Sequence, residues 1–260
     1  MSIRDIRCFI LDMDGTFYLG NRLLPGALEF IDFLKATGRD YLFLTNNSSK
    51  NAAFYAQKIK NMGLNDITEG KVFTSGQATG IYLNRLNEGR RIYLVGTQYL
   101  QQELEEAGLE MVQDEPDFVV VGFDTTLTYD KLWKACDFIR DGVKYIATHP
   151  DLNCPTETGF MPDCGAIIAF IEASTDKRPF IVGKPYGEII RSIFEKTGLG
   201  PEQLAIVGDR LYTDIQTGIN GGITSILVLS GETTAEDLAK SDIKPDYVVG
   251  GIGDIIKLLA

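Results

Sequence analysis

The stretch CFILDMDGTFYLG, residues 8–20, decides how the rest of the chain is interpreted. Its first residues have the apolar composition of a buried β-strand, and the strand ends on two aspartates, Asp12 and Asp14, separated by one residue. Aspartate and glycine are common in turns, so the pair is either a turn with incidental charge or a chemical site. A calcium-binding EF-hand loop is disfavoured, because that loop needs glycine at its sixth position and here glycine is the fourth residue.

The composition of the chain limits its function. Its 260 residues carry a net charge of −11 and are 44% hydrophobic, which is typical of one or two globular domains. The negative charge argues against binding to nucleic acid or to an anionic membrane, because both need a basic face. We find neither an apolar run of the roughly 18 residues that span a membrane nor a secretory signal. Four widely spaced cysteines indicate free thiols, so we expect a cytoplasmic protein.

Strand-like and helix-like segments alternate along the chain, which predicts an α/β fold with a parallel sheet covered on both faces. The predicted strands are short, apolar and rich in β-branched or aromatic residues: 8–12, 41–46, 72–75, 92–97, 118–123, 144–148, 204–209, 225–231 and 247–250. Apolar residues three and four positions apart predict helices that are each followed by glycine: 25–37, 129–141 and 186–197. Pro25 fits the first turn of the first of these helices.

Four polar clusters lie at one predicted edge of the sheet, the edge where ligands bind in open α/β sheets. They read DMDGT (12–16), LTNNSS (44–49), VGKP (182–185) and VGDRLYTD (207–214). The carboxylates suit a divalent cation that prefers oxygen ligands, whereas the lysine, the threonine hydroxyl and free backbone amides suit a phosphate group. An aspartate can attack phosphorus, and a second aspartate nearby can transfer protons.

In this order, the four clusters resemble the motifs of the haloacid dehalogenase-like (HAD) superfamily, and they are most similar to its NagD-like, 4-nitrophenyl phosphatase branch. The resemblance implies a Rossmann-like parallel-sheet core with an inserted smaller α/β cap domain that selects the substrate. The interval from Thr45 to Lys184 is far longer than one βαβ unit requires. We therefore place the cap at 80–180 and the catalytic core at 1–79 and 181–260.

The resemblance also implies roles for the motif residues. Asp12 corresponds to the nucleophile and Asp14 to the general acid/base, whose backbone carbonyl also reaches the metal. The implied ligands of a Mg²⁺ cofactor are Asp12, Asp14 and Asp209, supported by Gly208 and Asp214. The implied phosphate-binding residues are Thr45, Asn46 and Lys184.

These roles imply a Mg²⁺-dependent phosphatase that forms an aspartyl-phosphate. Its expected substrates are small phosphomonoesters such as sugar phosphates, nucleoside monophosphates and 4-nitrophenyl phosphate. A phosphomutase and a non-catalytic phospholigand-binding protein remain as alternatives. The expected partner is a small phosphorylated metabolite, with no nucleic acid and no membrane, and the resemblance is compatible with a homodimer.

The segment 145–167 is rich in Pro, Gly, Asn and Asp, so we predict a long loop. By the resemblance it reaches toward the substrate, and the candidate contacts are Thr148, His149, Asp151 and Asn153. A zinc site formed by His149, Cys154, Asp163 and Cys164 is disfavoured, because their spacing fits no common zinc pattern. No Lys or Arg lies between Lys144 and Lys177, which predicts a neutral, polar leaving group.

The stretch SGETTAEDL (230–238) also follows a predicted strand. We interpret it as a loop that leads into a helix with an N-cap residue. Because it leaves the same edge of the predicted sheet, it is also a candidate for a minor role at the site.

Overall fold

The computed structural model of the chain describes residues 3–156 and 159–259. Its strands are β1 (Cys8–Leu11), β2 (Tyr18–Leu19), β3 (Arg22–Leu23), β4 (Asp40–Thr45), β5 (Val72–Thr74), β6 (Arg91–Val95), β7 (Glu110–Met111), β8 (Phe118–Val121), β9 (Lys144–Ala147), β10 (Asn153–Thr156), β11 (Gly159–Pro162), β12 (Phe180–Ile181), β13 (Leu204–Gly208), β14 (Thr224–Val228) and β15 (Tyr247–Val249). Its α-helices are α1 (Ala27–Ala36), α2 (Ala52–Asn61), α3 (Ser75–Leu86), α4 (Gln98–Glu106), α5 (Tyr129–Arg140), α6 (Cys164–Thr175), α7 (Gly187–Thr197), α8 (Gln216–Gly221), α9 (Ala235–Lys240) and α10 (Ile255–Leu259).

The chain divides into two compact units, and each unit is built from separate pieces of sequence. Unit one contains Met1–Thr45, Ala53–Phe73 and Pro185–Ala260. Unit two contains Asn46–Ala52 and Thr74–Lys184. The predicted cap limits, 80 and 180, stay a prediction.

Unit one is organised around a sheet with the strand order β15-β14-β13-β1-β4-β5 among the described residues. Strand β1 pairs in parallel with β13 on one side and with β4 on the other. All four residues of β1 are buried, as expected of a strand covered on both faces. Because these strands are parallel, their carboxyl ends meet at the same edge of the sheet.

Helix α1 packs its predicted apolar face into the core of unit one, and the ring of Phe30 meets that of Phe9 edge to face at 5.4 Å between centroids. The helix begins at Ala27, so the prediction that Pro25 lies in its first turn is wrong. The reason is Gly26, whose left-handed backbone conformation (φ 81°) precedes the first helical residue. Glycine follows the end of the helix as predicted, at Gly38 with φ 69°.

Unit two contains its own sheet, with the strand order β12-β9-β8-β6-β7 among the described residues. The pairs β6–β8, β8–β9 and β9–β12 are parallel. The inner faces of these strands and of helices α5 and α6 form one hydrophobic cluster, in which Val119, Ile139 and Ile171 are almost fully buried. The predicted α/β fold, with a second smaller α/β region, is confirmed.

The short piece Asn46–Ala52 is held at the carboxyl ends of the strands of unit two. The Ser48 hydroxyl accepts a hydrogen bond from the backbone N–H of Phe123 at 2.9 Å and lies 2.9 Å from the Thr148 hydroxyl. Thr97 donates a hydrogen bond to the carbonyl of Ser49 at 3.0 Å. The crevice where α/β sheets usually bind a ligand is thus occupied here by the protein's own backbone.

The prediction of one long loop over 145–167 is wrong. Strands β10 and β11 form an antiparallel hairpin, with Asn153 opposite Pro162, and helix α6 begins at Cys164. The hairpin residues are mostly exposed, so they lack the buried apolar pattern that identifies a strand in sequence. Asp163 caps helix α6 by accepting a hydrogen bond from the backbone N–H of Cys164.

Two further structural features are the length and polarity of the helices and the state of the cysteines. In the part of the chain that the structure describes, every helix is too short or too polar to cross a membrane. The four cysteines, Cys8, Cys136, Cys154 and Cys164, are free thiols.

Candidate active site

Three predicted site residues lie at neighbouring strand ends of unit one. Asp12 directly follows β1 and donates its backbone N–H to the carbonyl of Val207 at 2.9 Å. Thr45 is the last residue of β4, and Asp209 directly follows β13; both are buried. Since β1 pairs in parallel with β4 and β13, the sheet brings the three residues to one edge.

An acidic group lies at this edge. Asp12, Asp209 and Asp214 each offer a carboxylate oxygen within 4.8 Å of the others, and within 3–156 and 159–259 this is the group of His, Cys, Asp and Glu side chains that could hold a metal ion. The side chain of Asp14 is not a member of the group, whereas that of Asp214 is.

The carboxylate of Asp209 is enclosed by two glycines. A Cβ atom on either Gly15 or Gly231 would lie closer than 3.0 Å to it. The Thr16 hydroxyl lies 3.4 Å from its Oδ1 atom. Burial, and secondly the negative charge of Asp214, raise the pKa of Asp209 to about 6.

Asp214 belongs to a single π-helical turn, Leu211–Ile215. Wide turns of this kind often occur at functional sites. Its Oδ2 atom accepts a hydrogen bond from the backbone N–H of Arg210 at 3.1 Å. A side chain at Gly208 would collide with Asp214, which gives a physical reason for glycine at this predicted supporting position.

The chemistry of the acidic group fits a hard divalent cation. All three side chains offer oxygen ligands, which Mg²⁺ prefers, and one or two carboxylates are usually enough to bind it. The carboxylates repel one another at this separation, and a bound cation would offset that repulsion.

Asp14 lies beside a partly buried cation. Burial raises its pKa above the ordinary value, and the charge of Lys58 is the largest opposing influence. The Nζ atom of Lys58 lies 4.1 Å from the ring centroid of Tyr18, a cation–π distance. Tyr18 forms a backbone bridge with Asp14 and is itself buried, as is Phe17, which packs on Phe43.

Two further predicted residues, Asn46 and Lys184, belong to unit two and are tied to each other. The Asn46 side chain accepts a hydrogen bond from the backbone N–H of Lys184 at 2.8 Å and donates one to its carbonyl at 3.1 Å. The same amide also donates to the carboxylate of Asp151, at 3.1 Å for the nearer oxygen. Asn46 therefore fixes the backbone position of Lys184, a contact that the motif pattern did not predict.

The four loop candidates differ in accessibility. Thr148 and His149 are completely buried, Asp151 is mostly buried, and Asn153 is exposed. The Nδ1 atom of His149 lies 3.4 Å from Asp151 and its Nε2 atom 3.5 Å from Asp163. Both distances are longer than an ordinary hydrogen bond, so the contacts are mainly electrostatic. No part of Thr148 or His149 is open to a ligand.

The two carboxylates favour the charged form of His149. Burial alone would lower its pKa, but Asp163 and Asp151 outweigh burial and the opposing charge of Lys184, so the pKa is raised. Although burial opposes ionisation, His149 and Asn46 lower the pKa of Asp151. We call His149, Asp151 and Asp163 the buried histidine cluster.

One ion pair at the edge of the acidic group is not predicted by the sequence motifs. Arg210 and Glu232 lie 2.9 Å apart, Nε to Oε2. Both residues stand in stretches singled out from the sequence, VGDRLYTD and SGETTAEDL. Their pairing was hidden because it depends on two neighbouring strands, β13 and β14, being parallel.

Comparisons with known proteins assign the chain to a family. Two family profiles match it, haloacid dehalogenase-like hydrolase over residues 9–110 and HAD-hydrolase-like over residues 181–255. The acid sugar phosphatase of Staphylococcus aureus (strain MRSA252) is 36% identical to it over 255 residues, which cover 98% of each chain. The chain belongs to the haloacid dehalogenase-like hydrolase family.

This HAD-like hydrolase is also similar to solved structures. The 4-nitrophenylphosphatase from Thermotoga maritima is 49% identical, with a TM-score of 0.96 over 99% of this chain and 98% of that one. NagD from E. coli K-12 is 35% identical, with a TM-score of 0.91 over 98% of both chains. The predicted resemblance to the NagD-like branch is confirmed, as is the predicted class of enzyme, a HAD-type phosphoric monoester hydrolase.

Proposed function

We propose that this HAD-like hydrolase is a Mg²⁺-dependent phosphatase that hydrolyses small phosphomonoesters through an aspartyl-phosphate on Asp12. The observation that carries the proposal is the meeting of Asp12, Asp209 and Asp214 at the carboxyl edge of the sheet, with their oxygens within 4.8 Å. The names of similar proteins, acid sugar phosphatase and 4-nitrophenylphosphatase, support the choice of substrates.

The reaction has two steps, both at phosphorus. In the first, a carboxylate oxygen of Asp12 attacks the phosphorus atom, the bond to the leaving oxygen breaks, and Asp14 donates its proton to that oxygen. In the second, Asp14 takes a proton from water, the water oxygen attacks phosphorus, and the bond to Asp12 breaks to release phosphate. Asp12, Asp209 and Asp214 would hold a divalent cation, which would supply positive charge to offset that of the phosphoryl oxygens.

The remaining motif residues have proposed roles that rest on the family resemblance. Thr45, Asn46 and Lys184 are proposed to bind the transferring phosphoryl group. The segment 80–180 is proposed to be the cap that selects the leaving group. A homodimer is proposed on the same basis, whereas a cytoplasmic location is proposed because the four cysteines are free thiols.

The reaction is tested most directly with 4-nitrophenyl phosphate, whose hydrolysis is followed by absorbance. We expect turnover with Mg²⁺ that falls to background after EDTA and returns when excess Mg²⁺ is added. A non-catalytic phospholigand-binding protein gives no turnover under either condition. A phosphomutase is separated by product analysis, because it yields an isomerised sugar phosphate instead of free phosphate.

The leaving group is proposed to be neutral and polar. The segment between Lys144 and Lys177 carries no Lys or Arg that could bind a second phosphate. We expect a higher kcat/KM for a hexose 6-phosphate or a nucleoside 5′-monophosphate than for a sugar bisphosphate. A clear preference for the bisphosphate would contradict this choice of substrate while leaving the phosphatase reaction intact.

A further inference from the structure

The Asn46 side chain pairs with the backbone of Lys184 as a neighbouring strand would. Its Oδ1 atom accepts the backbone N–H of Lys184 at 2.8 Å, and its Nδ2 atom donates to the carbonyl of the same residue at 3.1 Å. The preceding residue, Gly183, donates its N–H to the carbonyl of Thr148 at 2.8 Å. A Cβ atom on Gly183 would lie 2.7 Å from Oδ1 of Asn46, so the amide packs directly against this backbone. The backbone of Lys184 is thus held by one amide side chain.

The carboxylate of Asp151 determines which way round this amide lies. Its two oxygens accept hydrogen bonds from Nδ2 of Asn46 at 3.1 and 3.3 Å. An ionised carboxylate has only acceptors, so it pairs with the NH₂ group of an amide and not with its oxygen. If the Asn46 amide were turned over, its oxygen would face both this carboxylate and the carbonyl of Lys184. Asp151 therefore favours the orientation in which Asn46 holds Lys184.

Asp151 is itself fixed by its surroundings. Its Oδ2 atom lies 3.4 Å from Nδ1 of His149, and its side chain is only 13% exposed. Its backbone carbonyl accepts the N–H of Gly165 in helix α6 at 2.8 Å. A Cβ atom on Gly165 would lie 2.8 Å from that carbonyl oxygen, so the helix packs closely against the loop. The carboxylate has a defined position and little surface for contact with a substrate.

We propose that Asp151 is a positioning residue that holds Lys184 in place for the transferring phosphoryl group, through the amide of Asn46. The inference rests on the proposed function, in which Lys184 binds that group, and it assigns Asp151 a role other than direct contact with the substrate. Lys184 is almost completely buried, so the packing around it leaves its side chain few conformations, and the backbone position determines where the ammonium lies. A displacement of about 1 Å at such a group can lower the rate roughly hundredfold.

The test compares Asp151→Asn with the wild type in the hydrolysis of 4-nitrophenyl phosphate and of a hexose 6-phosphate. Asparagine has nearly the same size, but it offers a donor as well as an acceptor, so it no longer holds the Asn46 amide one way round. We expect kcat/KM to fall roughly tenfold to hundredfold, by the same factor for both substrates, because they share the phosphoryl group. A fall confined to the sugar phosphate means that Asp151 contacts the leaving group, which overturns the inference.

Inorganic phosphate gives a readout that involves no turnover. Its Kd in the presence of Mg²⁺, measured by isothermal titration calorimetry, should rise roughly tenfold in Asp151→Asn. Loss of a negative charge by itself would strengthen the binding of an anion, so a rise in Kd points to positioning. In the Lys184→Met background the same change should have no further effect, because the ammonium that it positions is absent. An effect of equal size in both backgrounds overturns the inference.

Asp163→Asn is the matched control. Asp163 is the other buried carboxylate beside His149, 3.5 Å from its Nε2 atom, so this variant removes the same charge from the same histidine. It should leave kcat/KM and the Kd for phosphate unchanged. Thermal unfolding shows whether each variant is folded at the assay temperature. If Asp151→Asn is not, His149→Gln is combined with Asp151→Asn and, separately, with Asp163→Asn, so that each double variant loses one positive and one negative charge. Equal kcat/KM in these two double variants overturns the inference.

The activity of the wild type keeps the two proposals distinguishable. If the wild type hydrolyses 4-nitrophenyl phosphate and Asp151→Asn does so equally well, the proposed reaction stands and only the role of Asp151 is removed. If the wild type gives no hydrolysis, the proposed function is wrong, and the role of Asp151 in it is wrong as well.

Discussion

The variant Asp12→Asn is expected to lose phosphatase activity by roughly 10³-fold or more, the scale observed when an enzyme loses its nucleophile. An amide oxygen is a far weaker nucleophile than a carboxylate, so the first step of the proposed reaction stops. The fold should persist, because Asp12 is only partly buried and the change removes one of three mutually repelling carboxylates. Activity with 4-nitrophenyl phosphate is the first measurement.

Covalent labelling gives a second readout for the same variant. The wild type, quenched in acid during turnover, should carry one phosphoryl group by mass spectrometry, and Asp12→Asn should carry none. Asp66→Asn is a matched control, because Asp66 is an exposed aspartate of unit one that pairs with Lys35. Retention of more than about a tenth of wild-type turnover by Asp12→Asn contradicts the assignment of the nucleophile.

The variant His149→Leu is expected to destabilise the protein by about 3–5 kcal/mol, the cost of removing one partner from a buried ion pair. His149 has no exposed surface, and its two ring nitrogens face Asp151 and Asp163. Leucine leaves both carboxylates buried without their cation. Urea denaturation followed by circular dichroism measures the loss as a lower midpoint.

The buried histidine cluster also predicts that the stability of the protein depends on pH. Burial and the like charge of Lys184 lower the pKa of His149 in the folded protein, but the opposite charges of Asp163 and Asp151 outweigh them, so the pKa is raised. A raised pKa means that the folded protein binds the proton more tightly than the unfolded chain does. Its contribution is therefore fully present below the unfolded value of about 6.5 and is lost as the pH rises through the folded pKa.

Two comparisons isolate the contribution of the buried histidine cluster to stability. The stability difference between wild type and His149→Leu should shrink as the pH rises above about 6.5. Titrating groups that are common to both proteins contribute equally to each, so their effects cancel in this difference. The triple variant His149→Leu, Asp151→Asn, Asp163→Asn should recover much of the loss, because it removes the unpaired charges and asparagine can still cap helix α6. A pH-independent difference contradicts a charged His149.

Much of the fold could be predicted because its strands are buried. The run from Cys8 to Leu11 is apolar and fully covered, and the helices α5 and α7 begin and end within a residue or two of their predicted limits. The hairpin of β10 and β11 could not be predicted, since its exposed strands carry no apolar period. Helix α3 was missed for a related reason: its sequence, SGQATGIYLNRL, contains two glycines, which weaken helix propensity.

The candidate site was predictable to the extent that its residues follow strands. Asp12, Thr45 and Asp209 could be placed at one edge because parallel order aligns strand ends. The membership of Asp214 in the acidic group depends on a π-helical turn that the sequence does not indicate. The pairing of Arg210 with Glu232 and the burial of His149 depend on side-chain packing, which short motifs do not encode.

The two-piece construction of unit two bears on how chimeras of related phosphatases should be designed. A transplant limited to 74–184 would omit Ser48 and Asn46, leaving the amide of Phe123 and the backbone of Lys184 without the hydrogen bonds they have here. The seven residues Asn46–Ala52, which come from elsewhere in the chain, must be transferred together with the larger segment. Donor and recipient are therefore compatible only when both segments come from the same parent.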